Sequence, residues 1–336
     1  MKLPSGEVMT STAPSPTLGG DKPMPLLIRD LYARMLFTRI VDDYTWKLHT
    51  QGFIDFVTSC RGHEAAQVGS AVCIEVGKDF TLPYYRDLGV VLTIGMTPHE
   101  VFRTYLQNRL PQRSPLPFHH WGYHKHNTVT GPAPVATQLL HAAGIAFACK
   151  LRKASVVTVA YCGDGATTEA DFLEGLRFAA QHQLPVVFIC ELAFLQQSKD
   201  AIAPASCLKS PTLPDGITYR QVDGTDIVTV YQSMHAAMQH ARKGRGPVLL
   251  EMHVVRSLPN LHLPVFKEAE SRRPFVFDGL SDGKNVDLSD PLVRCQHYLQ
   301  EHGVWDDNWA NQLCARISTE VECAWHDVLH AILQSS

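Results

Sequence analysis

The spacing of apolar residues changes along this chain from a helical period to an alternation of strands and helices. Between residues 26 and 49, apolar side chains recur at helical spacing, which predicts a long helix. From about residue 155, short apolar runs alternate with helix-like segments, an order typical of a parallel sheet. We therefore predict an α/β fold, a doubly wound parallel sheet with helices on both faces. The predicted elements of this part are strand 155–161, helix 167–183, strand 185–190, strand 218–222, helix 226–243 and strand 247–255.

Capping and turn residues indicate the remaining segments. Arg61-Gly62-His63-Glu64 opens a predicted helix, and Thr97-Pro98 starts another, with the threonine as its cap. The segment Pro83-Tyr84-Tyr85-Arg86-Asp87 is predicted to be a loop. Further predictions are a helix rich in small residues over 138–150, a long loop over 111–134 that is either functional or disordered, a charged loop over 266–290, and helices over 291–302 and 306–333.

Composition narrows the class of protein. Residues 1–25 are rich in Ser, Thr, Pro and Gly and are predicted to be a flexible arm, which leaves 26–333 as one domain. The net charge of −3 does not favour nucleic acid or an anionic membrane as a partner. Nine cysteines without a CxxC pair favour reduced thiols. Because no signal-peptide pattern or long apolar run is present, we expect a soluble, cytoplasmic protein.

A glycine-rich tripeptide carries the first chemical signal. Gly163-Asp164-Gly165 follows an apolar run and precedes a predicted helix, so it stands where a parallel sheet binds ligands. The glycines let backbone amides approach an anion closely. An aspartate beside a phosphate requires a bridging cation, because like charges repel. The tripeptide alone also suits an ordinary turn, so its context decides.

That context resembles the α-subunit of thiamine-diphosphate-dependent 2-oxoacid dehydrogenases, and most closely the branched-chain members. The resemblance covers about residues 26 to 333. It rests on segments that follow in the same order: "RGHEAAQVG" (61–69), "LPYYRDLGVVLTIGMTP" (82–98), "HWGYHKHNTVTGPAPVATQ" (120–138), "GDGATTEADFLEGLRFAAQHQLPVVFIC" (163–190), "VDGTD" (222–226), "KGRGPVLLEM" (243–252) and "DPLVRCQHYLQEHGVW" (290–305).

The resemblance implies a fold, a partner and a reaction. The expected fold is the thiamine-diphosphate-binding fold, and the expected assembly is an α2β2 heterotetramer with a separate β-subunit. The implied cofactors are thiamine diphosphate and magnesium, with potassium as a monovalent cation in some members. The implied reaction decarboxylates a branched-chain 2-oxoacid and passes the acyl group to a lipoyl-bearing acyltransferase. A Rossmann dehydrogenase is a weaker alternative, because no G-x-G-x-x-G follows an early strand.

The resemblance also assigns roles to individual residues of this chain. The predicted catalytic residues are His120, near the reaction centre, and His262, on the loop used in acyl transfer. The predicted metal ligands are Asp164 for magnesium, and Thr137 and Gln138 for the monovalent cation. The predicted cofactor-binding residues are Tyr85, Arg86, Val135, Gly163, Asp164, Gly165 and Ala166.

Departures from the family pattern cluster in two segments. Where members read Arg/Glu-Asn-Asn-x-Tyr, this chain has Glu191-Leu192-Ala193-Phe194-Leu195, so Ala193 replaces a magnesium ligand and Leu195 a tyrosine of the site. The family's reacting histidine falls on Asn260, two positions before His262. Two hypotheses follow. The first is an enzyme subunit whose metal shell is completed by water or Glu191; the second is a non-catalytic paralogue that acts as a scaffold or regulator.

Overall fold

The computed structural model describes most of the predicted domain. The described residues are 24–54, 56–106, 121, 125–129, 134–195, 213–256, 261–262 and 289–335. The predicted arm lies outside these ranges up to residue 23, and its last two residues belong to helix α1, Met24–Thr50. Most of the predicted loops 111–134 and 266–290 also lies outside the described ranges.

A parallel sheet forms the centre of the described fold. Its five strands lie in the order β2-β3-β4-β6-β5, and every neighbouring pair is parallel. A separate antiparallel pair is formed by β1, Phe56–Val57, and β7, Leu261–His262. The strands of the large sheet are β2 Phe80–Leu82, β3 Thr158–Gly163, β4 Val186–Leu195, β5 Thr218–Asp223 and β6 Val248–Arg256.

Helices cover both faces of this sheet, which confirms the predicted fold class. Successive side chains of a strand point to opposite faces, so Val159 and Tyr161 of β3 join one core while Ala160 and Cys162 join the other. Strands buried on both faces are apolar without alternation, as the sequence of β3 and β4 shows. The first core is covered by α2 Glu64–Ala71, α3 Leu88–Thr93 and α7 Ile227–Arg242, and the second by α5 Thr137–Leu151 and α6 Ala170–Gln181.

A further layer of helices packs outside α2 and α3. It consists of α1, α4 Pro98–Leu106, α8 Pro291–Glu301 and α9 Asp307–Ser335, which enclose a core rich in aromatic residues. The predicted start of α4 is confirmed, because Thr97 and Glu100 exchange hydrogen bonds as a capping box. No helix within the described ranges combines the length and the apolar character that crossing a membrane requires.

The predicted loop 83–87 is confirmed between β2 and α3, although these two elements, at three and six residues, are too short to show a period in sequence. Two predicted boundaries were wrong for local reasons. Helix α6 begins at Ala170 because Asp164–Thr168 form a 3-10 turn before it. Strand β4 continues to Leu195 instead of ending at residue 190, since its last residues still pair with β6.

Candidate functional site

The predicted site lies at the carboxyl ends of β3 and β4. Strand β3 ends at Gly163, whose partner in the register of β4 is Glu191. The chain then turns through the 3-10 segment Asp164–Thr168 into α6. Carboxyl ends of parallel strands beside a helix N-terminus are the usual ligand position of such sheets.

Asp164 is presented outward by the turn that follows β3. Its side chain is exposed and forms no hydrogen bond or ion pair with any residue that the structure describes. The Thr167 hydroxyl donates to the Asp164 carbonyl oxygen at 2.8 Å, and the Thr168 hydroxyl donates to the Gly165 carbonyl oxygen at 3.1 Å. These bonds fix the backbone of the turn while the carboxylate oxygens stay available to a cation.

The two glycines of the tripeptide have different surroundings. A Cβ built on Gly165 would meet nothing within 4 Å, so this glycine faces open space. A Cβ on Gly163 would lie 3.4 Å from Cε2 of Tyr84, so that ring forms a wall of the turn. Ala166 is buried behind them. An exposed carboxylate beside an open glycine fits a diphosphate with a bridging cation.

Tyr85 and Arg86 lie beside this turn at different depths. The Tyr85 side chain is 42% exposed, and its ring centroid lies 5.1 Å from that of Tyr84. Arg86 is only 3% exposed, and its Nη1 donates to the Ser59 carbonyl oxygen. Ser59 in turn donates to Asp42 on α1 at 2.5 Å. The structure thus brings the Tyr85 ring to the surface, while the Arg86 guanidinium lies beneath it and is held by the protein.

Three further residues of the predicted site, Val135, Thr137 and Gln138, lie at or just before the start of α5. Val135 is 51% exposed, although its side chain is apolar. The Thr137 hydroxyl donates to Asp171 of α6 at 2.8 Å, and Gln138 Nε2 donates to the Tyr161 carbonyl oxygen at 2.9 Å. Both polar side chains therefore tie α5 to its neighbours in the fold.

Glu191 is turned into the protein, away from the surface at which Asp164 lies. It is 1% exposed, and its Oε2 contacts His63 Nδ1 at 2.6 Å. The Tyr84 hydroxyl donates to the same oxygen at 2.8 Å, and Gln67 Nε2 donates to it at 3.3 Å. These three side chains occupy Oε2, whereas Oε1 is buried without a partner among the described residues, so the hypothesis that Glu191 completes the metal shell stays a prediction.

Ala193 lies on β4 at the position where the resemblance places a magnesium ligand, and that assignment stays a prediction. Its partly buried methyl group packs against the core on the α2 and α7 face of the sheet. Its partner in the register of β6 is Val254, so β4 remains a regular strand at this point. Within the described ranges, no three His, Cys, Asp or Glu side chains converge on a metal position. The described residues therefore fit a diphosphate well but offer magnesium a single carboxylate, that of Asp164.

The two predicted catalytic histidines remain predictions. His120 lies outside the described residues, as does Asn260. The backbone of His262 belongs to β7 and pairs with Phe56, but its side chain is outside the description.

Sequence reasoning missed the roles of His63 and Gln67. These two residues are four positions apart on α2, so they lie on the same helix face. A glutamate within the otherwise apolar strand β4 was the available signal, since a buried carboxylate requires polar partners. Asp87 belongs to the same group: its Oδ2 accepts from the Tyr84 amide at 2.7 Å. Burial, reinforced by the nearby Glu191, raises the pKa of Asp87 well above its usual range.

These features define a class of protein. The chain is a parallel α/β protein whose strand β3 ends in an open, glycine-flanked carboxylate suited to a diphosphate cofactor. Residues 32–332 match the profile of the family described as dehydrogenase E1 component. The chain belongs to this family, which confirms the resemblance found in the sequence.

Named relatives give the same assignment. The chain is 36% identical over 283 residues to the 2-oxoisovalerate dehydrogenase subunit alpha of Bacillus subtilis (strain 168), covering 83% of each chain. It is 33% identical over 295 residues to the 3-methyl-2-oxobutanoate dehydrogenase subunit alpha of Mycobacterium tuberculosis (strain CDC 1551 / Oshkosh), covering 86% of this chain and 75% of the relative. It is 29% identical over 306 residues to the pyruvate dehydrogenase E1 component subunit alpha of Staphylococcus aureus (strain Mu50 / ATCC 700699), covering 88% and 76%.

Family membership has direct consequences for this chain. It implies thiamine diphosphate as the cofactor and a β-subunit as the partner, and it makes the chain a subunit of an oxidoreductase. The family favours a catalytic role over the non-catalytic alternative.

Proposed function

We propose that this chain, together with a β-subunit in an α2β2 heterotetramer, decarboxylates branched-chain 2-oxoacids and passes the acyl group to a lipoyl-bearing acyltransferase. Two relatives named for such substrates support the choice of 2-oxoacid. The observation that carries the proposal is the exposed Asp164 carboxylate beside the open Gly165 at the end of β3. A cytoplasmic location remains part of the proposal.

Binding the cofactor is the main task of the described residues. Thiamine diphosphate supplies the carbanion that attacks the oxo carbon and the electron sink for decarboxylation. The turn from Gly163 to Ala166 would hold its diphosphate, and Asp164 would supply a magnesium ligand. Thr137 and Gln138 would border the potassium position at the start of α5.

The surface around the turn supports the need for a second subunit. Tyr85 and Val135 are apolar side chains that remain 42% and 51% exposed beside the site. Side chains of this kind line cofactor pockets, which bury most of their ligand in closed complexes. In the proposal, the β-subunit and the cofactor cover both residues. The proposed roles of His120 and His262 are proton transfer during decarboxylation and acyl transfer, respectively.

The test is a cofactor and activity assay on the complex with its co-encoded β-subunit. We expect the purified complex to release thiamine diphosphate on denaturation and to decarboxylate 3-methyl-2-oxobutanoate in a dye-reduction assay. Asp164→Ala should abolish both. The matched control is Asp215→Ala, because Asp215 is exposed at the opposite edge of the sheet, before β5. A complex that neither retains nor binds the cofactor and has no decarboxylase activity would overturn the proposal.

A further inference from the structure

The strongest unassigned feature is the buried polar group behind the end of β3. His63, Gln67 and Tyr84 all direct a polar atom to one oxygen of Glu191. His63 and Glu191 are each 1% exposed. From the sequence, Glu191 is considered only as a metal ligand, and no role in the site is assigned to His63, Gln67 or Tyr84.

This group is poorly arranged for stability alone. Glu191 Oε1 and His63 Nε2 are buried and have no partner among the described residues. A buried polar atom without a hydrogen bond destabilises a fold, and a buried ion pair is often no more stable than apolar residues of the same shape. The arrangement therefore calls for a role other than packing.

Tyr84 connects this buried group to the turn from Gly163 to Ala166. The Tyr84 hydroxyl donates to Glu191 at 2.8 Å, while the ring of Tyr84 lies against Gly163. The adjacent Tyr85 contacts that ring edge-on. Fixing the Tyr84 hydroxyl thus fixes one wall of the turn and the direction of Tyr85.

We propose that Glu191, held by His63 and Gln67, is a positioning residue that shapes the diphosphate site through Tyr84. This inference rests on the proposed function, because it concerns binding of the same cofactor. Glu191 touches neither the turn's carboxylate nor, in this proposal, the cofactor. Its effect on affinity is transmitted by one hydrogen bond and one ring contact.

The test compares two tyrosine-to-phenylalanine variants in the complex with the β-subunit. Tyr84→Phe removes the hydroxyl that contacts Glu191 and leaves the ring. The matched control is Tyr161→Phe, because Tyr161 is fully buried in the same hydrophobic core as Tyr84 and its hydroxyl lies 3.0 Å from Ser70 Oγ. Both variants lose one buried hydroxyl, so we expect similar falls in the thermal unfolding midpoint.

Calorimetric binding separates a positioning role from a structural one. Loss of a supporting partner typically costs about 10–100-fold in affinity at metal sites, and we expect about tenfold for thiamine diphosphate with Tyr84→Phe. Inorganic pyrophosphate should be weakened by a similar factor, since the wall is next to Gly163. Tyr161→Phe should change neither affinity. Glu191→Gln should also weaken both ligands, and Tyr84→Phe combined with Glu191→Gln should be no weaker than the worse single variant.

The possible failures are distinguishable. Unmodified complex that binds no thiamine diphosphate would overturn the proposed function, and this inference with it. Normal cofactor binding that Tyr84→Phe leaves unchanged would overturn this inference alone. Equal losses with Tyr84→Phe and Tyr161→Phe would show general destabilisation, and additive losses in the double variant would show that Glu191 does not act through Tyr84. If Tyr84→Phe lowered the affinity for thiamine diphosphate but not for pyrophosphate, that result would also contradict the positioning role of Glu191.

Discussion

Restoring a ligand at Ala193 tests whether the strand end limits cofactor binding. Ala193→Asn would place a carboxamide oxygen where this chain has a methyl group that packs against the core. The neighbouring Glu191 is buried, and other side chains hold its Oε2. We therefore expect the variant to bind magnesium and thiamine diphosphate more tightly than the unmodified chain does.

The size of the gain follows from two opposing effects. A direct ligand should be worth at least as much as a supporting partner, about 10–100-fold in affinity, which corresponds to about 1.4–2.8 kcal/mol. Without metal, a carboxamide among partly buried apolar neighbours costs about 1–3 kcal/mol when it lacks a hydrogen bond. The variant should therefore be less stable than the unmodified chain without ligands, yet more strongly stabilised by them.

Calorimetry and thermal unfolding of the complex with the β-subunit measure both effects. Ala193→Val is the matched control, because it adds volume at the same position without a lone pair. The affinity gain should require magnesium and disappear in the presence of a chelator. If Ala193→Asn binds no more tightly than Ala193→Val, or if the unmodified complex already binds as tightly as the variant, the metal argument is refuted.

Three further predictions follow from the described residues. Gly165→Ala should leave the unfolding temperature nearly unchanged and weaken thiamine diphosphate binding in calorimetry, because its Cβ enters the open space beside Asp164; unchanged binding would place the diphosphate elsewhere. Burial, only partly offset by Arg61, raises the pKa of Asp43 from 3.8 to about 7, so the ionised form destabilises the fold and the free energy of unfolding should fall between about pH 4 and pH 7. This fall in the free energy of unfolding is at most about 4 kcal/mol, at about 1.4 kcal/mol per pKa unit. Denaturant titrations of Asp43→Asn between about pH 4 and pH 7 should show a smaller fall, and an unchanged pH dependence would contradict the role given to Asp43. Asp290→Ala removes the cap of α8 and one of the two acidic partners of Arg39, the other being Glu64, so it should lower the free energy of unfolding by more than the loss of a cap alone, which costs about 0.5–2 kcal/mol. A smaller loss in urea unfolding would show that the ion pair between Arg39 and Asp290 contributes nothing.

The long elements of the fold could be predicted because their periods are strong. Strand β3 and helix α7, for example, lie within a few residues of their predicted positions. The three residues of β2 carry too little pattern to be recognised alone, and they are fixed by pairing with β3. The end of β4 was missed because pairing with β6, which no local pattern reveals, extends the strand through Ala193.

The candidate site also contains residues that local sequence could predict and residues that only tertiary packing brings together. Gly163, Asp164 and Gly165 are consecutive, so their chemistry could be predicted from local sequence. The contact between His63 and Glu191 joins residues 128 positions apart, and only the packing of α2 against the sheet brings them together. Sequence reasoning therefore identified the exposed turn after β3 and missed the buried residues behind it.

Two departures from the family pattern, Glu191 and Ala193, lie near the carboxyl end of β4, and their surroundings give them different meanings. At Glu191, the carboxylate is buried and receives hydrogen bonds from Tyr84 and Gln67 beside His63, so the acid beside a diphosphate turn is accommodated by its own partners. At Ala193, the described residues offer no such compensation, because a methyl group has no lone pair and Glu191 is turned away from the surface. An acid at the first position is thus compatible with cofactor binding, whereas the alanine offers a metal no lone pair. We therefore predict that metal coordination is the step in which this chain departs from its relatives, and magnesium titration of the complex, more than measurements on the diphosphate turn, tests that prediction.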